Sequence, residues 1–336
     1  MVDWDATLAV RRHIWSWGLG VADAMDTAQR NMGLDWTATA ELIRRSAAEA
    51  RAVGGALVVG VNTDHVAEES ITLDAVAAAY LFQLEVAEES GAGVVLMASR
   101  HLARAAESAA DYERAYHEVL SRSGSPVVLH WLGEAFDPAL AGYFGSHDSS
   151  LAADTVIRII EENRHQIRGI KVSLLDPDAE VSLRRRLPPG VHLFTGDDFN
   201  YVDLIAGDDR GHSDALLGAF AAIAPSASVA LAALGRGEIG EYRRILEPTQ
   251  TLSRQLFAAP TQYYKTGVAF LSWLNGHQPS PTMVGGLHSA RDLPHLSEIV
   301  RLANAAGALE QPELAAARWH GMLALNGVRA AAGVGA

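Results

Sequence analysis

The sequence predicts an α/β fold: a TIM-type (β/α)₈ barrel whose first strand is missing or atypical, followed by a C-terminal helical extension. Two observations predict it. Short apolar runs alternate with amphipathic helical stretches through most of the chain, as parallel strands joined by crossovers require. From about residue 236 the strand-like runs stop and four helical patterns follow one another. The expected division is a barrel over residues 1–235 and a helical region over 236–336 packed on it.

Each element has its own signal. "WDATLAVRRHIWSWG" reads as a helix with only three residues before it, which leaves no room for an initial strand. "GLGVADAM" (18–25) then stands as the second strand of a barrel. "GALVVGVN" (55–62) is followed by the helix-like "TLDAVAAAYLFQLEVAEESG", and "GVVLMAS" (93–99) by "DYERAYHEVLSRSG". "PVVLHW" (126–131), a helix around 152–165, "IRGIKVSLL" (167–175), a short helix near 178–187, "VHLFTGDD" (191–198) and an apolar run at 211–220 complete about seven strands. No G-x-G-x-x-G follows an early strand, so a dinucleotide-binding doubly wound sheet loses weight and no cofactor is expected.

Composition excludes several classes of function. A formal charge of -13 opposes binding to phosphate backbones, so nucleic acid is not an expected partner. The absence of cysteine rules out disulfides and thiolate metal sites. The charged N-terminus lacks the apolar core of a signal peptide. Pro225 and two serines interrupt the most membrane-like stretch, "ALLGAFAAIAPSASVALAALG", which reads as strand, turn and helix. The expectation is a cytoplasmic protein with no membrane partner.

In such barrels the functional side chains sit where strands end. Those ends carry Asp23 and Asp26, then Asn62, Asp64 and His65, then Ser99, Arg100 and His101. Further along come His130, Lys171, Gly196 with Asp197 and Asp198, and His212 with Asp214. Lys171 is the sharpest signal. Of 27 basic residues only Lys171 and Lys265 are lysine, and Lys171 lies in an apolar, strand-like run. A lysine directed into a barrel is desolvated, which frees its amine to attack a carbonyl, whereas arginine stays protonated. A lysine that reaches the rim or pairs with Asp197 is the alternative. Lys265, in a helical pattern, is expected to be solvated or paired along its helix, with no chemistry. His130 ends the strand before that of Lys171 and could move protons there, or be a backbone-bonded core histidine. Asp197 and Asp198 could hold substrate hydroxyls or cap the next helix. His65, His101, His130 and His212, with Asp64, Asp197 or Asp214, also permit a divalent-metal reading, without support from H-x-H or H-x-x-x-H spacing.

"GIK" ending one strand, "GDD" 25 residues later within "LFTGDDFNYVDLI", and the later "LFAAPTQYYKTGVAFLSWLNG" together resemble the dihydrodipicolinate synthase and N-acetylneuraminate lyase superfamily. In detail the chain is most similar to a divergent dihydrodipicolinate synthase-like branch, over roughly residues 5–300. The resemblance implies a TIM barrel with a C-terminal helical extension, a homo-oligomer (dimer or tetramer), and a Schiff base between a ketone substrate and Lys171. Two departures bear on the substrate. Where the family has a Gly-Thr-Thr-Gly-Glu motif for a keto-acid carboxylate, this chain reads "GVADAMDTAQ", and His130 in "LHWLG" stands at the place of the family's tyrosine.

The expected function is therefore a class I lyase or aldolase acting on a small-molecule carbonyl, a keto acid or keto sugar. Lys171 and His130 would be catalytic, and Asp26, Asn62, Arg100, Gly196, Asp197 and His212 would bind substrate. The alternatives are a metal-dependent isomerase or aldolase using the strand-end histidines, and a non-catalytic sugar-binding barrel.

Overall fold

A computed structural model describes residues 2–26 and 29–328. Its seven strands are all parallel and pair in chain order: β1 (Val21–Asp23), β2 (Leu57–Val61), β3 (Gly93–Leu96), β4 (Val127–Leu132), β5 (Ile167–Ser173), β6 (His192–Thr195) and β7 (Asp214–Ala215). Helix α1 (Trp4–Ser16) precedes β1. The crossovers carry α2 (Trp36–Val53), α3 (Leu73–Glu89), α4 (Arg100–Ala105), α5 (Ala109–Leu120), α6 (Ser149–Glu162), α7 (Pro177–Arg184) and α8 (Tyr201–Ala206). Then come α9 (Ala224–Gly235), α10 (Ile239–Leu256), α11 (Tyr264–Leu274), α12 (Leu293–Ala305) and α13 (Pro312–Leu325).

Among the described residues no strand precedes α1, and β1 and β7 end the sheet. Among the described residues the curled sheet is thus a barrel of seven strands in which α1 stands ahead of the first one. Ser228 of α9 donates to the Trp17 carbonyl just after α1 (2.6 Å), tying the last crossover helix to the start of the chain.

Local chemistry sets the helix starts. Asp35, Thr72, Asp148, Asp176 and Asp292 each accept a backbone N–H in the first turn of α2, α3, α6, α7 and α12, at roughly 1 kcal/mol per cap. All six residues of β4 are buried, and all of β5 except Arg168, as expected of parallel strands covered on both faces. One core lies between the helices and the sheet. A smaller one, Met25, Val95, Met97 and Val128 with Val58 and Phe194 against it, fills the barrel interior. Gly60 makes this filling possible, because a Cβ there would lie 2.5 Å from Met97 Sδ and 2.6 Å from the Ala24 carbonyl.

The last strand differs from expectation. The apolar run at 211–220 supplies only two strand residues, and Gly218–Ala222 form a 3₁₀ turn. The buried Asp198 carboxylate accepts the Ala219 N–H (2.7 Å) and thereby holds the backbone out of the ladder. The helical region is fastened to the barrel by polar contacts within apolar packing: Tyr242 donates to the Val202 carbonyl (2.8 Å) and Ser253 to the Asp198 carbonyl (2.6 Å). Among the described residues no helix is long and apolar enough to cross a membrane. Residues 329–336 of the helical region lie outside the described residues.

Candidate active site

His130 and Lys171 are direct neighbours in the β4–β5 register. His130 follows Val128 by two residues and therefore shares its inward face. Lys171 has 8% residual exposure, and among the described residues its amine makes neither a hydrogen bond nor an ion pair. Burial holds the ammonium below the ordinary lysine range, with Asp26 and Asp198 pulling partly in the other direction. His130 is fully buried; its Nε2 meets Ser173 Oγ (3.1 Å), and its Nδ1 has no partner among the described residues. Burial and the neighbouring Lys171 hold the imidazole well below its usual range, so it is neutral at physiological pH.

Asp26 joins this pair to the rest of the site. It sits in the loop after β1 and accepts a hydrogen bond from the Tyr264 hydroxyl (2.8 Å). Burial pushes its carboxyl up, yet the charges of Lys265, Lys171 and His130 and the Tyr264 bond bring it below the ordinary aspartate value. Arg30, wholly buried, anchors the far end of the same loop. Its guanidinium bonds the carbonyls of Ala24 (2.9 Å) and Gly60 (2.8 Å), Gln83 (2.8 Å) and the Asp64 carboxylate. All five of its donors are thereby used. Thr27 and Ala28, next to Asp26, lie outside the described residues.

Asp198 also acts on the Lys171 amine. Burial raises its carboxyl to about 8, against the Ala219 N–H and Lys171, which favour ionisation. It therefore carries a proton at neutral pH, while Asp26 is ionised. Two carboxyls with opposite protonation states flank one amine.

Above this group a cavity of about 230 Å³ opens at the ends of β1–β4. Asp26, Asn62, Arg100, His101, Tyr264 and Lys265 are on its wall. Lys171 and His130 are not; of the residues grouped around the amine, Asp26, Tyr264 and Lys265 are on the wall.

The remaining expected residues fall into two sets. Asn62 lines the cavity, but its side chain also accepts from the Thr63 N–H (2.7 Å) and donates to the Ala98 carbonyl (3.3 Å). Arg100 lines it too, half exposed and paired with Asp137 (2.6 Å). Gly196 lies directly against the amine's stem, since a Cβ there would be 2.7 Å from Lys171 Cε and 2.1 Å from Ser173 Oγ. Asp197 and His212 are placed elsewhere. Asp197 is consumed locally by the N–H groups of Phe199 (2.8 Å) and Asn200 (3.0 Å) and by the Asn200 amide (2.9 Å), so its neighbour Asp198 faces the lysine instead. His212 is two-thirds exposed, 3.7 Å from Asp214 and off the cavity wall.

The strand-end histidines do not converge on a metal. His65 meets Gln83, His101 lies between Thr63 and the Glu68 carbonyl, His130 meets Ser173, and His212 stands beside Asp214. Among the described residues the one convergent set of metal-ligand atoms is His13, His277 and Glu310, at none of those positions.

Sequence reasoning missed Tyr264 and Lys265, and the expectation of a solvated Lys265 is corrected. Lys265 is buried, donates to the Arg30 carbonyl (3.4 Å) and faces Asp26 across 239 positions of chain. Its rarity was the only signal pointing to it.

The fold is that of solved dihydrodipicolinate synthase structures. A prophage protein of that family from E. coli K12, in complex with pyruvate, is 16% identical, with a TM-score of 0.73 over 92% of this chain and 94% of that one. A dihydrodipicolinate synthetase-type structure from Pseudomonas aeruginosa gives 16% and 0.69 over 91% and 93%. The dihydrodipicolinate synthase of Thermotoga maritima gives 15% and 0.69 over 92% and 94%. A comparison with curated proteins finds no match. One family model spans residues 1–328, and the chain belongs to that family, described as a protein of unknown function (DUF993).

Proposed function

We propose that the chain is a class I, Schiff-base-forming lyase or aldolase acting on a small carbonyl compound, with Lys171 as the nucleophile. The observation that carries this reading is the buried Lys171 amine, without a partner among the described residues and held below its ordinary pKa by burial, with an ionised Asp26 and a protonated Asp198 acting on it. A neutral fraction of amine at physiological pH is what addition to a carbonyl needs.

In the proposed reaction the amine adds to the substrate carbonyl carbon, and the carbonyl oxygen takes a proton from Asp198. The oxygen then takes a second proton, the one the attacking nitrogen gives up, and leaves as water, while the nitrogen keeps its bond to carbon as an iminium. The iminium accepts the electron pair when a bond next to it breaks, or when a proton is removed there. Neutral His130, whose Nδ1 has no partner among the described residues, and ionised Asp26 are the acceptors within the group. Hydrolysis of the iminium returns the amine.

The cavity wall mixes cations (Arg100, Arg104, Lys265) with Asp64, Glu69 and Asp137. That lining suits a polyhydroxylated keto compound with one acidic group better than a small keto acid alone.

Borohydride trapping tests the reading. The protein is incubated with keto acids and keto sugars, reduced, and weighed intact. A substrate-sized increment that survives Lys265→Arg and vanishes in Lys171→Arg is expected. Turnover without any adduct, abolished by chelator, would reject the Schiff base in favour of a metal mechanism. Ligand binding with neither adduct nor turnover would reject catalysis in favour of a binding barrel.

A further inference from the structure

The geometry assigns a divalent-metal site of the zinc type to His13, His277 and Glu310, away from the strand-end cavity. The three residues come from distant parts of the chain: α1, the turn after α11, and the loop before α13. Glu310 offers one carboxylate oxygen to each imidazole. Its Oε1 is 2.8 Å from His277 Nε2, and its Oε2 is 3.5 Å from His13 Nε2. One ligand atom from each residue lies within 4.8 Å of the others. Around a tetrahedral Zn²⁺ with bonds of about 2.0–2.1 Å, ligand atoms sit about 3.3 Å apart, so closing the site takes movements of about an ångström. Two imidazoles and a carboxylate are a donor set suited to zinc. The side chains keep 20–26% exposure, which leaves a fourth position open to water.

The backbone around these residues is already ordered. Buried Asn275 donates to the Ala308 carbonyl (2.9 Å) and accepts the Glu310 N–H (3.0 Å), which sets Glu310 opposite the turn that carries His277. The His277 N–H closes that turn onto the Ser272 carbonyl (3.0 Å). The His13 and His277 rings lie with centroids 4.3 Å apart. None of the three lines the strand-end cavity. Helix α11 links the two places, with Tyr264 and Lys265 in its first turn at Asp26 and His277 just beyond its other end. A bound ion would therefore clip the N-terminal helix to the C-terminal helices and fix the far end of the helix that supplies the cavity's lysine.

The test uses untagged full-length protein, stripped with chelator and titrated with ZnCl₂ by calorimetry. One Zn²⁺ per chain is expected, together with a higher Tm. His13→Ala, His277→Ala and Glu310→Gln should each weaken binding by more than about a hundredfold, beyond the loss typical of an outer-shell partner. His212→Ala, from the exposed His192–Asp214–His212 group, should leave binding unchanged. No stoichiometric binding, or equal loss in His212→Ala, would overturn the assignment. Should the three variants fail to fold, Co²⁺ titration of the wild type decides: intense tetrahedral visible bands are expected, and only weak octahedral ones would count against the site.

Discussion

Lys171 and Lys265 are the only two lysines of the chain, both are buried, and both face the Asp26 carboxylate. They differ in how they are held. Lys171 rises from the middle of a parallel sheet and its amine has no partner among the described residues. Lys265 sits in the first turn of a helix, donates to the Arg30 carbonyl and lies 6.0 Å from the centre of the Tyr264 ring. Burial lowers both amines from the ordinary lysine value. Desolvation alone therefore does not distinguish the two; donor commitments among the described residues do, because an amine already donating to a carbonyl must break that bond before it can attack.

Exchanging the two lysines gives the largest expected effect. Lys171→Arg should lower turnover by at least about a thousandfold, as removal of a covalent nucleophile does, while Lys265→Arg changes substrate KM more than kcat. Steady-state kinetics on both variants checks this, and equal loss of kcat in the two would erase the distinction. Gly196→Ala comes next, since its Cβ would meet Lys171 Cε and Ser173 Oγ. It should cost about 1–3 kcal/mol by urea unfolding and slow borohydride trapping, with no comparable effect for a glycine exposed elsewhere, such as Gly240→Ala.

Asp26 and Asp198 sharpen the comparison through pH. Both raise the Lys171 pKa, so Asp26→Asn should move the half-maximum of trapping to lower pH, because the amine then loses its proton earlier. A shift to higher pH would show that Asp26 acts on Lys171 in some other way. Asp198 has a folded-state value near 8, above the unfolded one of 3.8. Stability associated with its protonated form is full below pH 3.8 and is lost as pH rises toward 8. Asp198→Asn should therefore be no more stable than wild type near pH 4 and more stable near pH 8 in thermal melts, and the opposite order would count against it. The smallest effect is expected from Tyr264→Phe, which removes one hydrogen bond to Asp26 at about 1 kcal/mol and frees that carboxylate to favour the lysines more strongly.

Much of this was legible in the residues. "PVVLHW" and "IRGIKVSLL" read as adjacent buried strands, and their register brings His130 beside Lys171. "GDD" was legible as a motif, but which of its carboxylates faces the amine was not. Asp197 satisfies the backbone of its own turn and Asp198 points inward, a choice made by local hydrogen bonding that residue type leaves open. His212 was expected at a strand end with Asp214. The strand holds only Asp214 and Ala215, and His212 precedes it on the surface.

By itself the sequence determined the parallel strand–helix alternation and the placing of Lys171 in a buried strand. These depend on periodicity and burial over a few residues, which neighbouring positions encode. Only the tertiary structure decided that Tyr264 and Lys265 meet Asp26, that Lys171 is not among the residues on the cavity wall, and that His13, His277 and Glu310 converge. Those facts depend on which surfaces of the helical region pack against the barrel. A desolvated charge takes its character from groups hundreds of positions away, and no local pattern records them.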